Sequence, residues 1–139
     1  MANQKTANKT PLTKTAKQKS SKSSPKILLV EKSKLIRTVV KDKIKSKGIT
    51  NIIEATNSSD ALKIAKQKKP DIVCVSYLIY EIENNNIFHD INSICPNSKL
   101  AILSSTPKKL INSEIMKKYK IGYIPKCSDY ETLTKLIQK

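Results

Sequence analysis

The sequence predicts an α/β fold in which a parallel β-sheet is covered by helices on both faces. Two observations favour this fold. The segment from Ile72 to Ser76 is almost entirely apolar and follows a Lys-Lys-Pro turn, as expected for a short strand buried on both faces. From Lys26 onward, apolar segments of strand length alternate with segments of helical periodicity. Strands and helices that alternate in this way form parallel sheets.

The predicted strands are short, and a polar loop at 84–86 follows the central one. The strand at 27–30 is wholly apolar and is followed by Glu31, and the strand at 72–76 is apolar up to Ser76, as is typical of buried strands that emerge at the edge of a sheet. In chain order, the predicted strands occupy residues 27–30, 50–55, 72–76, 99–104 and 121–125.

The predicted helices each carry one apolar stripe. Ser33 is predicted to cap the first helix, and Ser59 or Asp60 the second. Gly48 stands where a helix end favours a left-handed residue. The stripes comprise Leu35, Ile36, Val39, Val40 and Ile44; Ala61, Leu62, Ile64 and Ala65; Ile87, Phe88, Ile91 and Ile94; Leu110, Ile111, Ile115, Met116 and Tyr119; and Leu133, Leu136 and Ile137.

Composition divides the chain near Pro25. Residues 1–25 contain no acidic residue and almost no large aliphatic side chain, so little in them offsets the entropy lost on ordering. We predict a disordered basic tail over residues 1–25 and one domain over residues 26–139. The lysines of this segment are Lys5, Lys9, Lys14, Lys17, Lys19 and Lys22. The net charge of the chain is +16, carried almost wholly by lysine.

Several classes of protein are disfavoured. No apolar run approaches the roughly 18 residues that span a bilayer, and the N-terminus lacks a signal peptide, so we expect a cytoplasmic protein. Cys74, Cys95 and Cys127 are widely spaced, and with the single His89 they form no metal-binding motif. We expect buried or half-buried free thiols and no metal site.

Chemistry-bearing residues stand at the carboxyl ends of the predicted strands. In open α/β sheets this edge is where ligands bind. The residues delivered there are Glu31, Lys32, Ser76, Ser104, Ser105 and Lys126. The sequence therefore predicts that a functional site lies at this edge and that Ser76 is at its centre.

These segments resemble the receiver domain of bacterial response regulators. The resemblance is carried by residues 30–37, 70–76, 102–105 and 122–126, and it covers about residues 26–139. It implies the five-stranded flavodoxin-like sheet of order 2-1-3-4-5. It also implies that Ser76 stands at the phosphoacceptor position and Glu31 and Lys32 at the acidic pair. By the same resemblance, Ser104, Tyr123 and Lys126 match the switch hydroxyl, the switch aromatic residue and the invariant lysine.

The departures from the family pattern predict a degenerate receiver. Mg²⁺ requires oxygen ligands, and these positions keep one carboxylate, on Glu31, of the three that receivers use. The hydroxyl of Ser76 would need a base, and His89 lies on the third predicted helix, away from the edge. We therefore expect Mg²⁺ binding and aspartyl phosphorylation to be lost, with no catalytic residue and no other cofactor.

Two arrangements of the pocket are open. In one, Lys126 and Glu31 form a salt bridge, Lys32 turns to solvent and Ser76 is simply a polar strand end. In the other, the ammonium of Lys32 replaces the metal. Either gives a domain that is fixed in one state or that is switched by something other than phosphate.

The predicted partner surface is the face of the fourth helix, fifth strand and fifth helix. In receivers the ring at the position of Tyr123 moves between buried and exposed positions, although an edge-strand tyrosine is also ordinary packing. The residues of this face are Lys108, Lys109, Lys117, Lys118 and Tyr123, and they favour an acidic partner.

The function predicted from these features is a stand-alone, non-enzymatic interaction module in two-component or chemotaxis-type signalling, either monomeric or weakly dimeric. The alternative is a nucleic-acid- or ribosome-associated protein that binds through its basic tail, with the receiver-like core as a scaffold. The tail could also act only as a solvated extension or be attracted to an anionic membrane. A third possibility is modification of Ser76 or Ser104 by a serine kinase.

Overall fold

The computed structural model describes residues 25–128 and 130–138. The predicted tail therefore lies outside the described residues, apart from Pro25. Within the described ranges, no helix is long and apolar enough to cross a bilayer. The strands are β1 (Ile27–Val30), β2 (Ile52–Ala55), β3 (Ile72–Ser76), β4 (Lys99–Ser104) and β5 (Gly122–Pro125). The α-helices are α1 (Lys34–Lys45), α2 (Ser58–Lys68), α3 (Ile87–Ile94), α4 (Ser113–Lys118) and α5 (Glu131–Gln138).

All five strands are parallel and lie in the order β2-β1-β3-β4-β5. This confirms the predicted flavodoxin-like order 2-1-3-4-5. The register pairs Val30 of β1 with Val75 of β3, and Ser76 of β3 with Leu103 of β4. Because the strands are parallel and in register, the residues that follow them emerge at one edge of the sheet, which we call the carboxyl edge.

Alternating strand residues build a core on each face of the sheet. Leu28 and Val30 belong to the cluster under α2, α3 and α4, whereas Ile27 and Leu29 belong to the cluster under α1 and α5. Every residue of β1 and β3 is buried, as expected for strands covered on both faces.

The predicted stripe of α1 is wrong in two positions. Val40 and Ile44 are buried, and Ile36 packs against them, but Leu35 is 74% exposed and Val39 is 47% exposed. The sheet covers a narrower band of the helix than the apolar stripe, so one side of that stripe faces solvent. The Ser33 cap is confirmed, since its side chain accepts from the Ile36 N–H at 3.3 Å.

The ends of two helices also differ from prediction. Asn57, and neither Ser59 nor Asp60, caps α2, with its side chain accepting from the Asp60 N–H at 2.8 Å. The fourth helix is shorter than its stripe suggested, because the side chain of Asn112 caps α4 and excludes Leu110 and Ile111 from it. Leu110 instead ends a short 3₁₀ turn, Lys108–Leu110.

Other differences involve the remaining boundaries and the thiols. Between β3 and the predicted loop at 84–86, the chain forms a π-helix, Ile79–Glu83, which the sequence did not predict. Strands β2 and β5 begin later than predicted. Gly48 has a φ of +86°, which confirms its left-handed role. Cys74 and Cys95 are buried, as expected, but Cys127 is exposed. Burial raises the pKa of the Cys74 thiol to about 12.

Candidate functional site

The carboxyl edge brings Glu31 and Lys126 together. Glu31 directly follows β1, and Lys126 directly follows β5, across the width of β3 and β4. Their side chains meet with Lys126 Nζ 3.3 Å from Glu31 Oε1. The Glu31 side chain is 6% exposed and the Lys126 side chain is 16% exposed, so the ion pair is largely removed from water.

Both carboxylate oxygens of Glu31 are engaged. Its Oε1 faces Lys126, and its Oε2 accepts a hydrogen bond from the Ser33 N–H at 2.8 Å. An ammonium on one side and a backbone donor on the other satisfy this buried anion without a metal. In addition, the Lys126 N–H donates to the Ser104 carbonyl at 3.0 Å, which holds the lysine against the end of β4.

Arg37 rigidifies the loop that carries Glu31. Its Nη1 donates to the carbonyl of Glu31 at 2.8 Å and to that of Lys32 at 3.0 Å. Its Nε donates to Glu54 Oε1 at 2.8 Å, and Lys41 Nζ lies 2.8 Å from the other oxygen of that carboxylate. The chain's single arginine thus ties the loop after β1 to the end of β2.

This arrangement predicts an acid dependence of stability. The hydrogen bond from Lys41 is the main cause that lowers the pKa of Glu54 below 4.5, and Arg37 adds to it. Because the folded-state pKa is depressed, the stabilisation is present above the unfolded pKa and is lost as pH falls through the folded value. We expect at most about 1 kcal/mol, since part of this carboxylate remains in water. Urea titrations between neutral pH and about pH 3 should show this loss in the wild type and a smaller one in Glu54→Gln. Equal slopes for both proteins would contradict the assignment.

Lys32 lies outside the pocket. Its side chain is 71% exposed, and its Nζ lies 3.3 Å from Glu83 Oε2. Of the two arrangements predicted for this site, the structure has the Lys126–Glu31 salt bridge with Lys32 turned outward. The arrangement in which Lys32 replaces the metal is wrong.

Glu83 connects three loops of the carboxyl edge. Glu83 is the last residue of the π-helix after β3 and forms an ion pair with Lys32 of the loop after β1. It also accepts a short hydrogen bond from the Ser58 N–H at the start of α2. Asn84 Nδ2 donates to Ser58 Oγ at 2.8 Å and strengthens the same junction. Glu83 was not predicted from the sequence to belong to the site, although an acidic residue in the segment after the central strand is a signal for such a role.

Ser76 is 1% exposed, and its hydroxyl has no hydrogen-bond partner among the described residues. His89 does not approach it: the ring lies on α3, as predicted, with Nδ1 2.9 Å from the Tyr119 hydroxyl. In the described ranges no three His, Cys, Asp or Glu side chains are grouped so as to hold a metal ion. Directly after β1 and β3, Glu31 is the one carboxylate, and both of its oxygens are engaged.

The hydroxyl of Ser104 is used within its own turn. Ser104 Oγ accepts from the Thr106 N–H at 2.8 Å and donates to the Thr106 carbonyl at 3.0 Å. The Tyr123 hydroxyl donates to the same carbonyl at 2.7 Å. Ser104 and Tyr123 are therefore joined through Thr106, a residue that the sequence did not predict to belong to the site.

The four lysines of the predicted partner face are exposed on two short elements. Lys108 and Lys109 lie in the 3₁₀ turn after β4, and Lys117 and Lys118 end α4. None of the ion pairs formed by the described residues involves them. Tyr123, on β5, is half-buried.

Comparison with known families identifies the domain. A model of the response regulator receiver domain matches residues 27–138. The chain belongs to the response regulator receiver family. This receiver is similar to a chemotaxis protein CheY of Thermotoga maritima, with 29% identity over 92 residues, 66% of this chain and 77% of that protein. A chemotaxis protein CheY of Listeria monocytogenes is 24% identical over 114 residues, 82% of this chain and 96% of that protein.

Solved structures show the same fold. A response regulator from Thermotoga maritima superposes on this receiver with a TM-score of 0.67 and 25% identity, covering 84% of this chain and 99% of that one. A CheY-like receiver domain from Methylobacillus flagellatus gives a TM-score of 0.70 at 18% identity, covering 84% of this chain and 98% of that one. The five-stranded receiver architecture is thus shared across chains whose sequences have diverged widely.

Proposed function

We propose that this receiver domain is degenerate and acts as a phosphorylation-independent protein-interaction module in two-component or chemotaxis-type signalling. The observation that carries the proposal is the closed Glu31–Lys126 pair beside Ser76, at the positions where the family resemblance places the metal and phosphoacceptor site. One oxygen of the Glu31 carboxylate is paired with the Lys126 ammonium, and the other accepts a hydrogen bond from the Ser33 N–H. This carboxylate is therefore poorly placed to bind a metal cation as well.

The chemistry of the edge supports the loss of phosphoryl transfer. Mg²⁺ neutralises the charge that develops on a transferring phosphoryl group, and one buried carboxylate does not form its oxygen-ligand set. An alcohol nucleophile needs a base, and among the described residues no side chain forms a hydrogen bond with the Ser76 hydroxyl. We therefore propose that neither Mg²⁺ nor aspartyl-type phosphorylation regulates this domain.

The loops of the carboxyl edge support a single conformational state. Glu83 joins the loops after β1, β2 and β3, and the Ser104–Thr106–Tyr123 network holds the loop after β4 to β5. Moving the Tyr123 ring to another position would break the hydrogen bond from its hydroxyl to the Thr106 carbonyl. Without phosphorylation, no phosphoryl group would provide a new interaction to compensate for that loss. Such a domain presents one surface continuously.

Exposed apolar side chains around the same edge support a protein partner. Large side chains that stay exposed together commonly mark an interaction site. Here the first turns of α1 and the segment after β3 are brought close by the Lys32–Glu83 contact. Among the residues that the structure describes, the large exposed apolar side chains are Leu35, Val39, Leu78, Ile82 and Leu110. Lys108 and Lys109, which directly precede the exposed Leu110, favour acidic groups on the partner.

The test is a quantitative capture of partners from source-cell lysate. Full-length wild type should retain the same protein partner with or without Mg²⁺ and a phosphoryl donor, and Ser76→Ala should retain it equally. Leu35→Gln/Ile82→Gln, which exchanges two exposed apolar side chains, should reduce capture about tenfold or more. Lys108→Glu/Lys109→Glu tests the basic part of the surface separately. Capture that requires the phosphoryl donor, or that none of these surface variants weakens, would contradict the proposal.

A further inference from the structure

The solvent-facing side of α1 combines exposed apolar residues with one cation and one anion. Its exposed residues recur at spacings of three and four, which places them on one face of the helix. Two of them, one turn apart, form an apolar strip, and contiguous exposed apolar side chains commonly mark an interaction site. We call this set the outer face of α1, and it comprises Lys34, Leu35, Thr38, Val39 and Asp42. Lys45, also exposed, lies beyond it at the last position of the helix.

Each charge of the outer face stands at the end of α1 where the helix dipole disfavours it. Lys34 is the first residue of the helix, beside the partial positive charge of the amino terminus, and the first turn contains no acidic residue. Asp42 lies among the last four residues, beside the partial negative charge of the carboxyl terminus. The opposite charges at these two positions would suit an isolated helix better. The helix dipole therefore explains neither residue.

Neither charge is neutralised within the part of the chain that the structure describes. No ion pair or side-chain hydrogen bond of the described residues involves the Lys34 ammonium or the Asp42 carboxylate. In contrast, Arg37 and Lys41 of the same helix are both paired with Glu54. Lys34 and Asp42 are eight residues, about 12 Å, apart along the helix, too far to pair with each other.

A second copy of α1, packed antiparallel on the outer face, would satisfy both charges at once. A two-fold axis exchanges the ends of two antiparallel helices, so Lys34 of each copy lies opposite Asp42 of the other. The midpoint between these two residues is position 38, and the midpoint between Leu35 and Val39 is position 37. The two midpoints differ by about 1.5 Å along the helix. One axis can therefore align the ion pairs and the apolar strips together.

This pattern favours a second copy over an unrelated protein. A face that carries a cation on one side of an apolar strip and an anion on the other is complementary to itself under two-fold symmetry. The lysines that end α4 and those of the 3₁₀ turn after β4 do not have this property, because on a second copy they would meet charges of the same sign.

We propose that two copies of this receiver associate through the outer faces of α1 as an antiparallel pair with two Lys34–Asp42 ion pairs. The inference rests on the proposed function, since it names the protein that covers the α1 part of the exposed apolar surface. Ile82 and Leu110 remain available to a different protein. The outer face has five residues, against about 20 to 30 on each side of a standard interface, and each copy has a net charge of +16. We therefore expect a weak dimer, with a dissociation constant on the order of 100 μM.

The test measures self-association of the full-length protein by sedimentation equilibrium at about 0.15 M salt. Lys34→Glu places two carboxylates opposite each other, and Asp42→Lys places two ammonium groups opposite each other. Each change should weaken association about tenfold or more. Both changes improve the interaction with the helix dipole, so each variant should resist urea at least as well as wild type. Loss of association therefore does not reflect unfolding.

Mixing the two variants distinguishes a pair of identical faces from other contacts. In the mixed dimer Glu at position 34 meets Lys at position 42, and the native pair forms on the other side of the axis. Fluorescently labelled Asp42→Lys should therefore bind unlabelled Lys34→Glu about as strongly as wild type binds itself. The matched control is Lys63→Glu, which has the same net charge as Lys34→Glu but carries its change at an exposed position of α2. It should bind the labelled variant about tenfold more weakly.

Three results would overturn the proposal: a wild type that stays monomeric up to about 1 mM, a single variant that associates as strongly as wild type, or a labelled variant that binds both titrants equally. Monomeric wild type whose capture of another protein still falls with Leu35→Gln/Ile82→Gln would refute the dimer and leave the proposed function standing. A dimer with the expected variant behaviour, together with capture that requires a phosphoryl donor, would refute the proposed function and support the dimer.

Discussion

Replacing Lys126 with methionine is expected to lower the free energy of unfolding by about 3 kcal/mol. The methionine retains much of the apolar stem of the lysine but removes the ammonium 3.3 Å from Glu31 Oε1. The carboxylate is 6% exposed and would keep a single charge-stabilising contact, the Ser33 N–H. An anion buried without its counter-ion costs far more than the pair itself contributes. Urea denaturation followed by circular dichroism measures the change.

Two matched variants separate this effect from ordinary loss of a salt bridge. Glu31→Gln/Lys126→Met removes both charges and should recover most of the lost stability, because no buried anion remains. Lys32→Met breaks a pair in which the lysine is 71% exposed, and it should cost less than about 1 kcal/mol. If Lys126→Met costs no more than Lys32→Met, the Glu31 pocket is open to water and the proposed closed state fails.

Tyr130→Ala is expected to destabilise the protein by about 4 kcal/mol. Tyr130 is 1% exposed and packs with Ile124 and Leu133 in the cluster under α1 and α5. Burial raises the pKa of its phenol to about 12, so the hydroxyl stays protonated and donates to the Lys126 carbonyl at 3.3 Å. The ring also lies 5.4 Å from Lys43 Nζ, which donates to the carbonyl of Ser128. Removing the ring would leave a cavity beneath the loop that carries Lys126.

The backbone of Tyr130 provides a second readout. Its φ is +60°, a conformation that alanine disfavours and glycine tolerates. We therefore expect Tyr130→Gly to be at least as stable as Tyr130→Ala, in contrast to the usual order inside secondary structure. Tyr130→Phe keeps the ring and should lose no more than about 1 kcal/mol. A Gly variant clearly less stable than the Ala variant would contradict the left-handed conformation.

Much of the fold could be predicted because strand and cap signals are local. The apolar run ending at Ser76 identified the central strand, Ser33 marked the start of α1, and Gly48 marked the turn after it. The errors arose where the result depended on how much of a helix the sheet covers, or on which of several suitable residues caps a helix. The stripe of α1 included Leu35 because periodicity does not reveal how much of a helix the sheet covers. Ser59 has a residue type that often caps helices. Asn57, two residues earlier in the chain, is the residue that caps the free N–H groups at the start of α2.

The candidate site was predicted in its position and only partly in its contacts. Parallel strands end at one edge, so Glu31, Ser76 and Lys126 could be placed together before the structure was known. The sequence did not decide which lysine pairs with Glu31, because Lys32 and Lys126 carry the same charge and each lies close after the end of a strand. Glu83 and Arg37 organise the surrounding loops through side chains on other elements, Lys32 and Glu54 respectively, and no local sequence pattern predicts such contacts.

The sequence by itself therefore predicted the receiver fold and the edge at which the candidate site lies, and it has Lys32 and Ser76 at two positions where the family resemblance implies carboxylates. Those features depend on periodicity and on residue type at given positions. Tertiary structure alone decided which ammonium pairs with Glu31 and which apolar side chains of the described residues remain exposed. These outcomes depend on distances between segments, and electrostatic and packing energies are set by those distances.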